Sequence, residues 1–159
     1  AAMNTSFRIT GLPHDVFAPW FELSDQALAA RGPVRRVADV NPGYPCRVSL
    51  EDAEIGEETL LLPFEHHRVD SPYRSAGPIF VRRGATQQRL APNTLPLYVT
   101  RRLMSVRAYD AAGMMVDAGV HKGVELHPVI ERLFADGKVA YLQLHNAKPG
   151  CFSCQVDRC

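Results

Sequence analysis

The spacing of apolar side chains predicts one clear helix near the end of the chain. Five apolar residues recur at i, i+3, i+4, i+7 and i+8 and form a single stripe: Leu126, Val129, Ile130, Leu133 and Phe134. Such a stripe is typical of an amphipathic helix that packs on a sheet. Pro128 is tolerated in a first helical turn, and Gly137 suits the position just after a helix. We therefore predict a helix over residues 125–136.

Alternating or β-branched apolar runs predict strands in much of the remaining chain. They cover residues 7–11, 34–40, 46–50, 59–66, 79–83, 103–109, 114–120 and 139–146, with a last run that reaches residue 156. Shorter helical segments are predicted at residues 15–21, 24–31 and 97–102, the second of them capped by Ser24.

These elements predict an α+β fold. Residues 7–158 are expected to form a single domain with a mostly antiparallel sheet of about six to eight strands. One long C-terminal amphipathic helix and short N-terminal helices would pack on this sheet. Residues 1–6 are interpreted as an expression remnant followed by a disordered start.

The last two runs predict a hairpin, because Pro149 and Gly150 between them are typical of a type II turn over residues 148–151. Pairing Leu144 with Cys154 collects the apolar side chains on one face. The same register pairs Leu142 with Val156, Gln143 with Gln155, His145 with Ser153 and Ala147 with Cys151. The predicted core face contains Leu142, Leu144, Asn146, Phe152, Cys154 and Val156. The other face, the predicted wall of a site, contains Tyr141, Gln143, His145, Cys151, Ser153 and Gln155.

The candidate catalytic residues lie on that wall. Cys151 lies at the turn, diagonal to His145 and close in sequence to Lys148, and such a setting favours a thiolate. We interpret Cys151 as a candidate nucleophile or thiol-exchange centre and His145 as its base. A hydrogen-bonded structural role fits His145 equally well. Cys154 is expected to be buried as a small apolar residue.

Six further side chains are candidates for binding a ligand: Gln143, Ser153, Asn146, Arg47, Tyr73 and Arg74. The last two lie in a predicted polar loop over residues 68–78, where a guanidinium fork and a phenol would hold a carboxylate or phosphate. Arg47 follows a rigid loop of prolines and glycine that would hold its side chain still. The predicted register turns Asn146 inward, away from Cys151, where it would instead pin the turn through its backbone hydrogen bonds.

Five stretches together resemble a bacterial family known as a domain of unknown function, number 1203. They are FRITGL, PGYPCRVSLEDA, SPYRSAGPIFVR, VRAYDAAGMMVDA and LQLHNAKPGCFSCQVDR. The resemblance spans residues 7–158. It implies a small, single-domain, soluble bacterial protein, and it assigns no activity and no role to any residue.

Composition narrows the functional classes. The formal net charge is +1, so long-range attraction to nucleic acid or to an anionic membrane is not expected. No apolar run approaches the length of a membrane helix, and no signal peptide is recognised. Four cysteines in 159 residues do not form a disulfide scaffold, so we expect a cytoplasmic protein. Nucleotide-binding, α/β-hydrolase and zincin motifs are missing, and no cofactor is identified.

Three hypotheses remain open. The first is an enzyme or binding protein for a small, possibly anionic molecule, with a polar pocket beside the last hairpin. The second is a zinc or copper protein that uses Cys151 with His145 and either Cys46 or Cys159, although the spacing assigns no metal ligand. The third is a non-catalytic domain whose hairpin and loops contact a protein partner.

Overall fold

Ten strands in two five-stranded sheets form the framework of the computed structural model, which describes residues 4–159. The first sheet contains, from edge to edge, β1 (Phe7–Thr10), β10 (Phe152–Arg158), β9 (Tyr141–Asn146), β7 (Leu103–Tyr109) and β8 (Met115–Lys122). The second sheet contains β2 (Val34–Val37), β5 (Glu58–His67), β6 (Ser75–Arg82), β3 (Pro45–Cys46) and β4 (Glu51–Asp52). Neighbouring strands are antiparallel except β3 and β6, which are parallel.

Four short α-helices accompany the sheets: α1 (Ala18–Phe21), α2 (Asp25–Ala29), α3 (Leu97–Thr100) and α4 (Leu126–Phe134). The predicted cap of α2 is confirmed, because Oγ of Ser24 accepts the N–H of Ala27 at 3.1 Å. The predicted apolar stripe of α4 is also confirmed. Four of its five residues are buried, and Val129 packs partly buried against the same core.

Each sheet has its own apolar core. On the first sheet, Met104, Val106, Leu142 and Leu144 pack with α3 and α4. A second core joins α1 and α2 to the second sheet, and it contains Leu60, Leu62, Ile79 and Val81, among others.

The predicted fold class is wrong. The protein is mostly β, with strands over 38% of the chain and helices over 18%. Two sheets replace the single predicted sheet because the apolar residues of β5 and β6 build the second core, which α1 and α2 cover. The predicted long C-terminal helix is the nine-residue α4. It ends early because Asp136 turns the chain, with Oδ1 accepting the N–H of Lys138 and its carbonyl accepting that of Val139.

Two local predictions are also wrong. The predicted loop over residues 68–78 ends sooner, because β6 begins at Ser75 and pairs with β5 from there. The predicted strand over residues 46–50 is a helical turn, in which the N–H of Leu50 bonds to the carbonyl of Cys46 at 2.9 Å. Leu50 closes that turn with a φ of 57°.

Of the predicted remnant, residues 1–3 lie outside the described part, whereas Asn4 donates to the carbonyl of Cys159.

The register of the last hairpin is confirmed at three predicted pairs: Leu142 with Val156, Gln143 with Gln155, and Leu144 with Cys154. Nearer the turn it is wrong, because a bulge between Phe152 and Cys154 places Phe152 opposite His145. The bulge leaves Ser153 unpaired and moves Phe152 off the predicted core face. Phe152 packs instead in the core of the second sheet. Gly150 has the positive φ predicted for the turn, 80°.

Candidate functional site

A cleft of about 810 Å³ opens at the turn end of the last hairpin, between the two sheets. One side is formed by the turn, residues 145–152, and by Leu103 and Arg107 of β7. The other side is formed by residues 75–78 and Phe80 of β6 and by Pro45 and Arg47 next to β3. The small side chains at the start of β6 thus line the cleft.

Part of the predicted wall is buried between the sheets and is almost inaccessible to solvent, although His145 also borders the cleft. Gln143 is 0% exposed, and Ser153 and His145 are 1% exposed. Two hydrogen bonds hold the Gln143 amide against His66 of β5. Its Nε2 donates to the His66 carbonyl at 2.7 Å, and its Oε1 lies 2.9 Å from Nδ1 of His66. Because the carbonyl can only accept, Oε1 of Gln143 must accept from Nδ1–H of His66.

Arg47 is the largest fully buried side chain of the protein. It is 1% exposed, and three of its nitrogens donate to protein acceptors. Nε donates to the carbonyl of Phe152 at 2.7 Å, Nη1 to that of Pro45 at 2.5 Å, and Nη2 to Sγ of Cys151 at 3.1 Å. No Asp or Glu oxygen within residues 4–159 lies within 4.0 Å of this guanidinium. Its charge is therefore buried without a carboxylate partner.

Cys151 is half-buried in the wall of the cleft and has two donors on its sulfur. Besides Nη2 of Arg47, Nδ2 of Asn146 lies 3.6 Å from Sγ. Asn146 was predicted to point away from Cys151, and this prediction is wrong because the turn folds back across the strand. The N–H of Gly150 bonds to the Asn146 carbonyl at 2.8 Å. Oδ1 of Asn146 is buried and has no hydrogen-bond partner among the described residues.

His145 holds the turn through Nδ1 of its ring. Nδ1 lies 3.1 Å from the carbonyl of Gly150, and Nε2 lies 3.4 Å from Oε1 of Gln143. A neutral ring has one N–H for these two acceptors, and we assign it to Nδ1 because that contact is the shorter. Burial, followed by the nearby positive charge of Arg107, lowers the pKa of His145 to about 3, and the ring is neutral at pH 7. Within the described residues no hydrogen bond joins His145 to Cys151. The role of His145 as base remains a prediction, and the contact that the structure does give Cys151 comes from Arg47.

Every charged side chain that lines the cleft is basic: Arg47, Arg101, Arg102, Arg107 and Lys148. Asp52, whose side chain is 3% exposed, forms salt bridges with both Arg101 and Arg102, so this trio keeps a net charge of about +1. Arg107 and Lys148 have no carboxylate within 4.0 Å in the part of the chain that the structure describes.

Sequence reasoning missed Arg107, Lys148 and His66 as site residues. The sequence contains one signal that could have identified Arg107: its position alternates with the apolar positions of β7. Its strand register places it opposite Gln143 of β9, and therefore on the predicted wall side of the sheet. Lys148 had been noted only as a neighbour of Cys151 in sequence.

Tyr73 and Arg74 are not among the residues that line this cleft, although Arg74 directly precedes Ser75, which does. The guanidinium of Arg74 is engaged by Glu65, with Nε and Nη2 each 3.1 Å from a carboxylate oxygen. The ring of Tyr73 packs edge-on against Tyr109 with centroids 6.3 Å apart, and its carbonyl lies 2.8 Å from Nδ1 of His67. Their role as an anion clamp remains a prediction, and the structure does not bring them to Cys151.

The metal hypothesis finds no ligand set. Among residues 4–159 no group of three or more His, Cys, Asp or Glu side chains is placed to hold a metal ion. Cys46 is buried, and its sulfur accepts the backbone N–H of Arg82 at 3.3 Å. Cys159 is exposed at the end of the chain. No helix in the described part of the chain is long and apolar enough to cross a membrane.

Comparison with known proteins gives one match. The sequence profile of a family described as "Protein of unknown function (DUF1203)" matches residues 43–158, which include the lining of the cleft from Gly43 to Phe152. No curated protein and no solved structure matches the chain.

Proposed function

The chain belongs to the DUF1203 family of proteins of unknown function, and we propose that it binds a small organic anion in the cleft beside its C-terminal hairpin. The ligand class is a molecule with a carboxylate or phosphate group. A cleft of about 810 Å³ is within the size range of sites for small molecules.

The observation that carries this proposal is the buried guanidinium of Arg47, which has no carboxylate partner among residues 4–159. Transferring an unpaired charge out of water is unfavourable by several kcal/mol, roughly, so buried charges normally have a counterion. Arg47 lines the cleft, and a bound anion there supplies the missing negative charge. Arginine suits this role because it has five N–H donors, and the three protein acceptors leave one N–H on Nη1 and one on Nη2 without a partner among the described residues.

Two further cations extend the positive site. Arg107 and Lys148 line the same cleft without a carboxylate partner, and both retain exposed surface. Low-dielectric walls lined by one sign of charge concentrate the field and attract the opposite ion. The ligand also needs a donor, because Oδ1 of Asn146 is buried without a partner. A carboxylic acid with a neighbouring hydroxyl, amine or amide N–H meets both requirements.

The experiment is titration calorimetry with inorganic phosphate and with citrate, at constant ionic strength set by chloride. We expect saturable binding by the unmodified protein and about tenfold weaker binding by Arg107→Gln and by Lys148→Gln. Arg89→Gln is the matched control, because Arg89 is exposed and lies outside the cleft. Equal affinity in all four proteins, or no saturation with either anion, would overturn the proposal.

A further inference from the structure

We propose that Cys151 is a nucleophile that forms a mixed disulfide with a small, negatively charged disulfide bound in the cleft. This inference rests on the proposed function, which supplies the preference for anions. It adds a reaction class, thiol–disulfide exchange, and a modified residue.

The first support is the contact between Arg47 and Cys151. Among residues 4–159, the thiol of Cys151 is the one group bonded to this guanidinium that is able to become negative; the other two acceptors are backbone carbonyls. A guanidinium donates charge-assisted hydrogen bonds, which are roughly twice as strong as bonds between neutral groups. Nη2 of Arg47 therefore places a positive charge 3.1 Å from Sγ, the atom that carries negative charge when a cysteine attacks a disulfide.

The second support concerns the amide of Asn146, through its oxygen rather than through its contact with the sulfur. Asn146 is 5% exposed and lines the cleft, and its Nδ2 is the second donor to Sγ of Cys151. Oδ1 of the same amide has no partner, although a buried oxygen normally accepts at least one hydrogen bond. A ligand N–H beside the sulfur would donate the hydrogen bond that Oδ1 of Asn146 lacks. A peptide-like disulfide has both the N–H and the carboxylates that the basic side chains require.

The other cysteines do not share this environment. Cys154 lies in the core of the first sheet, and burial raises the pKa of its thiol to about 12. Cys46 is fully buried in the core of the second sheet. Cys159 is exposed, and it lies outside the cleft. Because both buried thiols point into cores, neither is placed to displace the partner from Cys151, and the mixed disulfide is the product.

The exchange balances with the disulfide as its only co-reactant. Sγ of Cys151 attacks one sulfur of RS–SR, a new S–S bond forms, and the original S–S bond breaks. The leaving RS⁻ takes a proton from water, and the proton lost by Cys151 returns to water. Cys151 is oxidised, and one half of the small molecule is reduced to a thiol. His145 acts here as a positioning residue, because its Nδ1–H holds the Gly150 carbonyl next to Cys151.

The test compares two disulfides of opposite charge on the reduced, full-length chain at pH 7. Glutathione disulfide is the anionic probe and cystamine the cationic one, and peptide mass spectrometry gives the rate at each cysteine. Cys159 is the internal reference, because it is exposed in the same molecule and outside the cleft. We expect the ratio of the Cys151 rate to the Cys159 rate to be at least about tenfold higher with glutathione disulfide than with cystamine.

Two variants sharpen this test. Asn146→Asp keeps the size of the side chain but removes its N–H donor and adds negative charge, and it should lower the glutathione rate at Cys151 about tenfold. Arg107→Gln should lower the charge preference and leave the Cys159 rate unchanged. Arg89→Gln should change neither rate. The circular-dichroism melting curve of each variant checks that it is folded.

The outcomes separate this inference from the proposed function. If Cys151 is inert, or shows no charge preference, while phosphate and citrate still bind in the calorimeter, the exchange reaction is overturned and the anion site stands. If neither anion binds and Cys151 shows no charge preference, both are overturned.

Discussion

Nη2 of Arg47 lies 3.1 Å from Sγ of Cys151, although the two residues are 104 positions apart in the chain. Arg47 directly follows β3 of the second sheet, and Cys151 directly precedes β10 of the first. The contact therefore joins the two sheets at the cleft. One buried guanidinium contributes both to the structure, through two carbonyls, and to the environment of the thiol.

We expect Arg47→Met to lower the free energy of unfolding by about 3 kcal/mol, since the carbonyls of Pro45 and Phe152 lose their charged donor. Removing the buried charge offsets part of this loss. The measurement is urea denaturation followed by tryptophan fluorescence. Arg89→Met is the matched control and should change stability by less than about 0.5 kcal/mol. An Arg47→Met protein as stable as this control would show that the hydrogen bonds to Pro45 and Phe152 are not needed for the fold.

The protein should lose stability in acid through His145. Its pKa falls from 6.5 to about 3 on folding, first because the ring is buried and then because Arg107 is nearby. Between these values the unfolded chain binds more protons, so the contribution is complete above pH 6.5 and declines as the pH falls toward 3. The slope reaches about 1.4 kcal/mol per pH unit.

The check is the free energy of unfolding from pH 7 to pH 4 in the natural chain and in His145→Gln. The variant should show the flatter dependence. His66 has a pKa lowered by burial and acts in the same direction, but it is present in both proteins, as are Arg47 and Arg107. Identical slopes would mean that His145 takes up a proton in the folded state.

Tyr98→Phe should lower the free energy of unfolding by about 1–2 kcal/mol. The Tyr98 hydroxyl is buried and donates to the carbonyl of Ser153 at 2.7 Å. Ser153 is the bulged residue and has no register partner on β9, so the regular ladder does not supply a replacement for the lost donor. Tyr44→Phe is the control, because the Tyr44 hydroxyl bonds to Asp39 at the exposed surface. Equal stability of the two variants would show that water or another donor satisfies the Ser153 carbonyl.

Gly123→Ala should destabilise the protein by about 3 kcal/mol or more. A Cβ at this position would lie 2.0 Å from the carbonyl oxygen of Val99 and 2.8 Å from that of Arg102, and backbone atoms cannot move aside as side-chain ends do. Gly77→Ala is the control, because an added Cβ there meets nothing within 4 Å. Thermal melting distinguishes the two. Equal melting temperatures would contradict the close approach at Gly123.

Local pattern was enough to predict most strands and the register of the last hairpin. Leu142, Leu144, Cys154 and Val156 share a face in one register, and that register is observed. The bulge was not predictable from alternation, because Phe152, Ser153 and Cys154 read as an ordinary apolar–polar–apolar series. Phe152 turns the other way because its ring packs in the apolar core of the second sheet, and the local pattern does not show that core.

The candidate site was predictable in part. Cys151, Asn146 and His145 are close in sequence, and the turn signal at Pro149 and Gly150 placed them together. The guanidinium on the sulfur comes from a distant segment. Arg47 was named as a ligand-binding candidate because of the rigid loop before it, but nothing local indicates that it contacts Cys151. Such a contact depends on how the two sheets meet, which hydrophobic periodicity does not encode.

The pairing of β1 with β10 has a consequence for synthesis on the ribosome. Phe7 and Ile9 of β1 are both fully buried, and among the described residues β10 is the one strand that pairs along β1. Phe7 leaves the ribosome long before its partner Arg158. Contacts between such distant segments form slowly, and an apolar strand whose partner has not yet been translated is prone to aggregate. The first sheet therefore closes only after β10 has left the ribosome, and we expect β1 to be the segment that a nascent-chain chaperone protects until then.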